Sequence, residues 1–594
     1  MSDDRDWRNI TTGWEIPTEN YCDQPYVVKT DDGAWLCVVT TGPGLEGEPG
    51  QHIVTLRSTD CGRTWSAPVD VEPTDGPEAS YAVPLKVPGG RVYCFYNHNT
   101  DNVRAVKADD PPFAGGLCRR VDSLGYFVFK YSDDHGRTWS DRRYPIDVRE
   151  MAIDRENPYG GKVRYFWNVG KAFCHDGAAF VPLHKVGGFG EGFFTRSEGV
   201  LLKSTDLLTE RDPAKITWQT LPEGDAGLRA PRGGGPIAEE QSFCVLSDGS
   251  LYCIYRTIDG HPACTYSRDG GRTWAEPQYQ RYADGRPMKH PRAANFVWRL
   301  ANGNYLYWFH NNGTKWYNSG PSAGNRNPVW LCGGIEADAP DGRVIRWSQP
   351  EIALYDDDPF CGMSYPDLIE EDGRVFLTET QKTIARVHEI DRTLLAGLWD
   401  QFETRCVATG GLVLSLAREA GGPGETQTPS LPGFAAPRGF RTENPRPGLT
   451  VDLRIRLDSL DPGQIVLDNR AESGAGICLR TTDRRALEIV LSDGRTVSCW
   501  ACDPGLVTEG RLHHVAVIVD AGPKIITFVV DGILCDGGPL RPFGWGRFSP
   551  NLRHANGDKI LRIGPRLRGG FKALRIYDRY LRTSEAISNY RAGR

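Results

Sequence analysis

One octapeptide constrains this chain more than any other feature. It reads Ser-x-Asp-x-Gly-x-Thr-Trp and stands intact at residues 58–65, 132–139 and 267–274. Two eroded copies can be argued: Ser204-Thr-Asp206 with a late Trp218, and Asp341-Gly342 followed by Trp347. An Asp two residues before a Gly builds a tight turn whose carboxylate takes backbone N–H groups. The Gly supplies a positive φ, and the Trp covers the turn with a large apolar face. Strand-like segments at 52–56, 126–131 and 251–255 flank the copies, so each is a hairpin turn inside a small sheet. Starts at 58, 132, 204 and 267 lie 74, 72 and 63 residues apart. That is too long for a solenoid repeat and suits a four-stranded propeller blade with loops. The stretch from about 20 to 400 then holds about six blades. The Asp residues of the repeat are structural, and the spacing of further carboxylates does not suit a calcium loop.

Composition agrees with an all-β chain. Gly (68), Pro (41) and Trp (16) are plentiful and Met (4) is scarce, as many short strands and turns require. Helical spacing is confined to about 584–590 and, more weakly, 394–402. With 39% hydrophobic and 25% charged residues in 594, the chain can bury sizeable cores in more than one domain. Its 70 basic and 76 acidic residues, net −6, are spread along the chain and give no basic excess for a nucleic-acid partner. No apolar run approaches the roughly 20 residues needed to span a bilayer, so no membrane partner is expected. The N-terminus MSDDRDWRN has no secretory pattern, which gives a cytoplasmic expectation that a trimmed secreted form would also satisfy. Of the sixteen cysteines, only Cys499 and Cys502 form a C-x-x-C pair. Without a second pair or nearby histidines they are expected to be plain strand residues, and no metal is implied.

The texture changes after residue 400. Residues 418–447, rich in Gly, Pro and Thr, read as a linker or loop, and strands are expected at 449–457, 477–481, 487–491, 513–519 and 525–530. Leu512-His-His514-Val, Val530-Asp-Gly532 and the ending Leu574-Arg-Ile-Tyr577-Asp-Arg-Tyr-Leu581 resemble laminin-G/concanavalin-like jelly rolls. The expected division is a six-bladed propeller catalytic domain over 1–400 and a concanavalin/laminin-G-like β-sandwich over 401–594. Such modules bind glycans or brace a catalytic domain, and bracing is the expectation here.

The octapeptide is similar to the Asp-box, or BNR repeat, of the sialidase (neuraminidase) superfamily, and further stretches extend that resemblance. Glu240-Gln-Ser-Phe-Cys-Val-Leu-Ser-Asp-Gly249-Ser-Leu-Tyr-Cys-Ile-Tyr-Arg256 resembles the strand pair that carries a Glu and then an Arg. The resemblance implies that Glu240 activates a tyrosine nucleophile and that Arg256 grips the substrate carboxylate. Ser364-Tyr365-Pro-Asp367-Leu368, followed by Asp372-Gly373 and Thr378-Glu379, resembles the segment bearing that tyrosine, which makes Tyr365 the expected nucleophile. A phenol ionises near pH 10 and attacks poorly until a neighbouring base takes its proton, the need a Tyr–Glu pair meets. Arg326-Asn-Pro-Val-Trp330 resembles the strand with another carboxylate-binding Arg. Tyr81, Asn97-His98-Asn99, Lys289-His290-Pro-Arg292 and His310-Asn311-Asn312 are further candidates for the pocket wall, Arg292 among the substrate-binding residues.

Two departures stand out. Sialidases open their first blade with Arg-Ile-Pro, and the matching stretch here is Asp23-Gln24-Pro25. The inverted charge at Asp23 would repel a carboxylate, pair with Arg256 or Arg326, or hydrogen-bond a less acidic sugar, with Gln24 beside it. The loop expected to carry an acid/base Asp reads Gly44-Leu-Glu46-Gly-Glu48-Pro-Gly-Gln51-His52 and contains no Asp. Glu48 lies nearest the expected place, Glu46 is an alternative, and His52 titrates near neutrality.

The expected function is an exo-acting glycosidase of carbohydrate metabolism that removes a terminal sugar, sialic acid or a less acidic relative, from a glycan. Sialidases with a tyrosine nucleophile are an exception to the two-carboxylate scheme, and no cofactor is implied. The alternatives are a propeller polysaccharide lyase or His-dependent glycosidase using His52 and Tyr365, and a non-catalytic glycan-binding protein. Sequence leaves the sugar, the linkage and the oligomeric state open.

Overall fold

The computed structural model describes residues 6–593 apart from 109–115, 121, 163, 165, 191–193, 316–322, 422–423 and 435–445. The chain divides into two compact units: residues 13–347 with 358–392, and residues 1–12, 348–357 and 393–594.

The first unit is a six-bladed propeller. Its sheets follow in chain order, each with its first strand innermost. Blade 1 is Tyr21–Lys29, Trp35–Gly42, His52–Ser58 and Val69–Glu72; blade 2 is Ala79–Lys86, Val92–His98, Tyr126–Ser132 and Tyr144–Pro145. Blade 3 runs Phe166–Trp167, Ala178–Phe189, Phe194–Ser204 and Gln219–Leu221; blade 4 runs Glu239–Val245, Leu251–Arg256, Ala263–Ser267 and Gln278–Tyr279. Blade 5 is Phe296–Arg299, Tyr305–Phe309, Val329–Ala339 and Gly342–Trp347. Blade 6 is Leu368–Glu371, Arg374–Thr380 and Ala385–Ile390, completed by the N-terminal strand Trp14–Ile16, with Trp14 opposite Val387. That exchange closes the ring and removes a sheet edge. Strands between two neighbouring blades are buried on both faces, so Trp35–Gly42 is buried at every position.

The octapeptide forms the turn its chemistry dictates. Asp60 Oδ1 accepts from Thr64 N at 2.9 Å and Oδ2 from Thr64 Oγ1 at 2.7 Å, while Ser58 Oγ takes the N–H of Gly62 at 2.9 Å. Asp134 and Asp269 repeat this pattern with Thr138 and Thr273. The glycines have φ near +80 to +90° and press on the preceding blade: a Cβ on Gly136 would stand 2.4 Å from Leu36, and one on Gly62 2.9 Å from Val387. The tryptophans pack the same way, Trp65 on the blade 6–blade 1 core and Trp139 on the blade 1–blade 2 core. The repeat therefore glues blades together as well as turning the chain. In the eroded blade 3 copy an insertion separates the parts, yet Thr217 still caps Asp206 at 3.1 and 2.6 Å. Asp341-Gly342 differs: two residues join Val329–Ala339 directly to Gly342–Trp347, an ordinary hairpin.

The second unit is a β-sandwich of a seven-stranded and a six-stranded sheet. The five expected strands form as Pro447–Leu457, Gly476–Thr481, Leu487–Ser492, Leu512–Asp520 and Ile525–Val530. The alternate apolar side chains of Pro447–Leu457 and Leu512–Asp520 enter one core with those of Leu487–Ser492. The expected linker is corrected at its start. Leu412–Gly421 and Gly424–Gln427 are strands, pairing with Gly569–Arg579 and Ile560–Ile563. Both are edge strands, where Gly-rich sequence is tolerated because only one neighbour must be satisfied; residues 435–445 lie outside the described residues. Helices form at Arg392–Asp400 and Thr583–Ala592. All sixteen cysteines are free thiols, with Cys499 on the strand Val497–Ala501. No cluster of three potential metal ligands occurs among the described residues.

Candidate active site

A repeated backbone irregularity builds the site. The innermost strands of blades 1, 2 and 4 each carry a bulge, at 23–26, 80–83 and 239–242. At each bulge a non-glycine residue adopts the left-handed conformation: Gln24 (φ 53°), Tyr81 (φ 61°) and Glu240 (φ 58°), joined by Tyr365 (φ 49°) ahead of the blade 6 inner strand. Each such residue costs on the order of 1–3 kcal/mol, and such strain concentrates at functional sites. A bulge lets one side chain leave the alternation of the strand and point elsewhere.

Two of these residues meet. The Tyr365 hydroxyl donates to Glu240 Oε1 at 2.9 Å, and Arg256 Nη1 lies 2.9 Å from the same oxygen. Tyr365 and Glu240 are both buried. Burial pushes the Tyr365 phenol well up, reinforced by the Glu240 charge and opposed by Arg256. Burial also raises Glu240, against the pull of Arg256 and with the push of Glu239. A carboxylate so raised is a stronger base toward the phenol that it touches. Behind it, His184 Nδ1 accepts the Glu240 N–H at 3.3 Å, and burial drives His184 down to about 3, leaving it neutral.

Glu239, which the sequence reading passed over, organises the arginines. Its Oε2 accepts from Arg256 Nε at 2.7 Å and Arg292 Nε at 3.2 Å, and its Oε1 from Arg292 Nη2 at 2.6 Å. Burial alone would raise this carboxyl, but Arg256 and Arg292 outweigh it and hold Glu239 at about 2. Arg326, at the end of a short 3₁₀ turn, instead donates to Ser364 Oγ at 2.7 Å, next to the nucleophile candidate.

Lys382, also unforeseen, completes the other side. Its ammonium stands 4.2 Å from the centroid of the Tyr365 ring, 2.6 Å from Asp23 Oδ2 and 3.2 Å from Glu46 Oε1. Asp23 therefore pairs with Lys382, not with Arg256 or Arg326 as the sequence suggested. It also accepts from Tyr21 at 2.9 Å and from the N–H of Gln24 at 3.0 Å. The reason is the closed ring, which brings the blade 6 hairpin loop against blade 1. Glu46 in turn binds Arg120 at 2.7 Å, and Arg120 binds Asp122 at 2.8 Å. Burial would raise Glu46, yet Lys382 and Arg120 hold it at about 2. Tyr81 donates to Asp122 and stacks on Trp167 at 4.3 Å, with Arg120 over the same indole at 4.5 Å.

The remaining candidates make their hydrogen bonds elsewhere. Glu48 is exposed, and its Oε2 caps Leu45 N of its own loop at 2.8 Å. His52 faces Gly50 O at 3.2 Å through Nδ1 and Glu19 at 3.9 Å through Nε2. Among the described residues neither has a hydrogen bond or ion pair to the cluster, whereas Glu46, two residues before Glu48, does. Glu379 bonds Gln381 and His388. His98 bonds Thr100 at 2.7 Å, and His290 bonds Ala293 O at 2.8 Å and stacks on His310. The local signal for Glu239 was its neighbour Glu240; Lys382 and Arg120 carried none.

Residues 81–377, half of the chain, match the family described as BNR repeat-like domain, and residues 436–587 match the Concanavalin A-like lectin/glucanases superfamily. No curated protein matches the chain. Similar solved structures include a Trypanosoma rangeli sialidase in complex with 2,3-difluorosialic acid, 14% identical, with 98% of this chain and 97% of that one covered and a TM-score of 0.44. They also include the intramolecular trans-sialidase of Ruminococcus gnavus in complex with oseltamivir carboxylate, 16% identical, covering 64% of this chain and 96% of that one, TM-score 0.43. A Dyadobacter fermentans protein of unknown function is 16% identical, covering 64% and 98%, TM-score 0.43. With the repeat, the six sheets and the family match in agreement, this chain belongs to the BNR repeat-like family, as a sialidase-like propeller followed by a concanavalin-like sandwich.

Proposed function

We propose that the chain is a retaining exo-glycosidase in which Tyr365 attacks the anomeric carbon and Glu240 takes the phenol proton. The observation that carries this reading is the 2.9 Å hydrogen bond from Tyr365 to Glu240, formed between two buried residues on left-handed backbone positions. As the C–O bond to the leaving group breaks, the phenol oxygen bonds to the sugar and its proton passes to Glu240 Oε1. Water then attacks the same carbon as the Tyr365–sugar bond breaks; Glu240 returns its proton to the Tyr365 oxygen, and the proton lost by water passes to solvent, where it balances the anion of the expelled leaving group, giving net retention. Arg256, at 2.9 Å from Glu240, steadies the carboxylate before the transfer. Glu46, held at about 2, acts here as a counter-ion of Lys382 and Arg120.

Activated aryl glycosides leave without needing a proton donor, so they probe the nucleophile alone. A panel of these substrates, sialoside included, is to be assayed with wild type and Tyr365→Phe. At least one glycoside should be turned over, with kcat falling by roughly three orders of magnitude in the variant. Turnover that survives in Tyr365→Phe would place the chemistry elsewhere. No turnover by wild type would favour a glycan-binding role.

A further inference from the structure

We propose that this site takes a terminal sugar that bears no carboxylate. The inference rests on the glycosidase reading and names its substrate class.

The first observation is that the cations are already answered. Arg256 and Arg292 share Glu239, and Arg256 also meets Glu240. Lys382 sits between Asp23 and Glu46, and Arg120 between Glu46 and Asp122. Among the described residues, Arg326 is the one cation of the cluster without a carboxylate partner. An acidic sugar would have to draw Arg256 or Arg292 away from Glu239, which is fully buried, and so leave an unpaired charge in the interior. Arg326 alone cannot provide a converging cradle.

The second observation is the place of Asp23. It is buried beside the Tyr365–Lys382 contact, and its hydrogen bonds to Tyr21, Lys382 and the Gln24 N–H fix it there. A substrate carboxylate brought to this wall would meet Asp23 and Glu46, both on Lys382. Like charges so juxtaposed oppose binding strongly.

The third observation is what remains unpaired. Gln24 Oε1, the side-chain amide of Asn168, the indole N–H of Trp167, His184 Nε2 and Glu240 Oε2 are buried without a hydrogen-bond partner among the described residues. The residues that carry them are neighbours: Gln24 Nε2 donates to the Asn168 backbone carbonyl at 2.8 Å, Trp167 stacks on His184, and His184 Nδ1 accepts from the Glu240 backbone N–H. These atoms mix donors and acceptors, and all but Glu240 Oε2 are neutral. That mixture suits sugar hydroxyls, each of which both donates and accepts. A carboxylate only accepts.

The test is kcat/KM for para-nitrophenyl glycosides of neutral hexoses, deoxyhexoses and pentoses, and for the para-nitrophenyl glycoside of N-acetylneuraminic acid, with wild type and Tyr365→Phe. The best neutral substrate should exceed the sialoside by roughly 100-fold or more, as like-charge repulsion of a few kcal/mol requires. Sialoside turnover equal to or above that of every neutral substrate, lost in Tyr365→Phe, would overturn the inference and leave the tyrosine reading standing. If wild type turns over nothing, the tyrosine reading falls. Calorimetric titration with N-acetylneuraminate and with neutral methyl glycosides then decides the site's preference. Binding of the acid alone, lost in Arg326→Ala, overturns the inference; binding of a neutral glycoside alone upholds the selectivity.

Discussion

Replacing Glu239 by Gln removes one charge and almost no volume from the centre of the propeller. The wild-type carboxyl is held at about 2, where an unperturbed Glu titrates near 4.5. Its folded-state pKa is depressed, so the stabilisation is fully present above the unfolded pKa and is lost as pH falls from about 4.5 through about 2. A depression of that size corresponds to about 3 kcal/mol near neutral pH, at 1.36 kcal/mol per pKa unit. Independently, removing one partner of a buried ion pair costs about 3–5 kcal/mol, here because Arg256 and Arg292 would face each other without their shared carboxylate. At about 2 °C per kcal/mol for a large domain, the propeller's melting transition should drop by roughly 6 °C. The assay is calorimetry of both proteins from neutral to acid pH. The gap between them should be full near pH 7 and shrink steadily below about pH 4.5. A Glu239→Gln transition within about 1 °C of wild type near pH 7, or a gap unchanged in acid, would refute the reasoning.

Lys382→Met removes the cation that lies 4.2 Å from the centroid of the Tyr365 ring. It should lower kcat roughly 5-fold, the value of a partly exposed cation–π contact of about 1 kcal/mol, and move the alkaline limb of the pH–rate profile upward. Lys382→Arg should restore the profile; an unchanged limb in Lys382→Met would make Lys382 merely structural. Asp60→Ala strips the turn of its bonds to Thr64 and should cost about 1 kcal/mol in a thermal melt while leaving kcat/KM untouched. A large loss of activity at unchanged stability would contradict the structural role of the repeat.

Local pattern made much of this protein legible. The octapeptide encodes its turn within eight residues, because Ser58, Asp60, Gly62 and Thr64 satisfy one another. Three such turns, with an eroded fourth between the second and third, stand at blade-length spacing and determined the propeller. Tyr365, Glu240 and Arg256 were legible for a similar reason, since each lies in a strand–turn–strand segment with an Asp-Gly turn in register. The contacts that decide what those residues do are of another kind. Asp23 and Lys382 are 359 positions apart, Glu46 and Arg120 74, Glu239 and Arg292 53. No periodicity joins such residues. Ring closure brings blade 6 against blade 1, and only then does Lys382 reach Asp23. The choice of Glu46 over Glu48 depends on which way a loop turns, and so could not be read from a run containing both. Sequence alone determined the blades and singled out the tyrosine and the glutamate that the fold brings into hydrogen-bond contact. Tertiary structure decided how the charges around that pair are matched, because electrostatic pairing depends on distance in space and not along the chain.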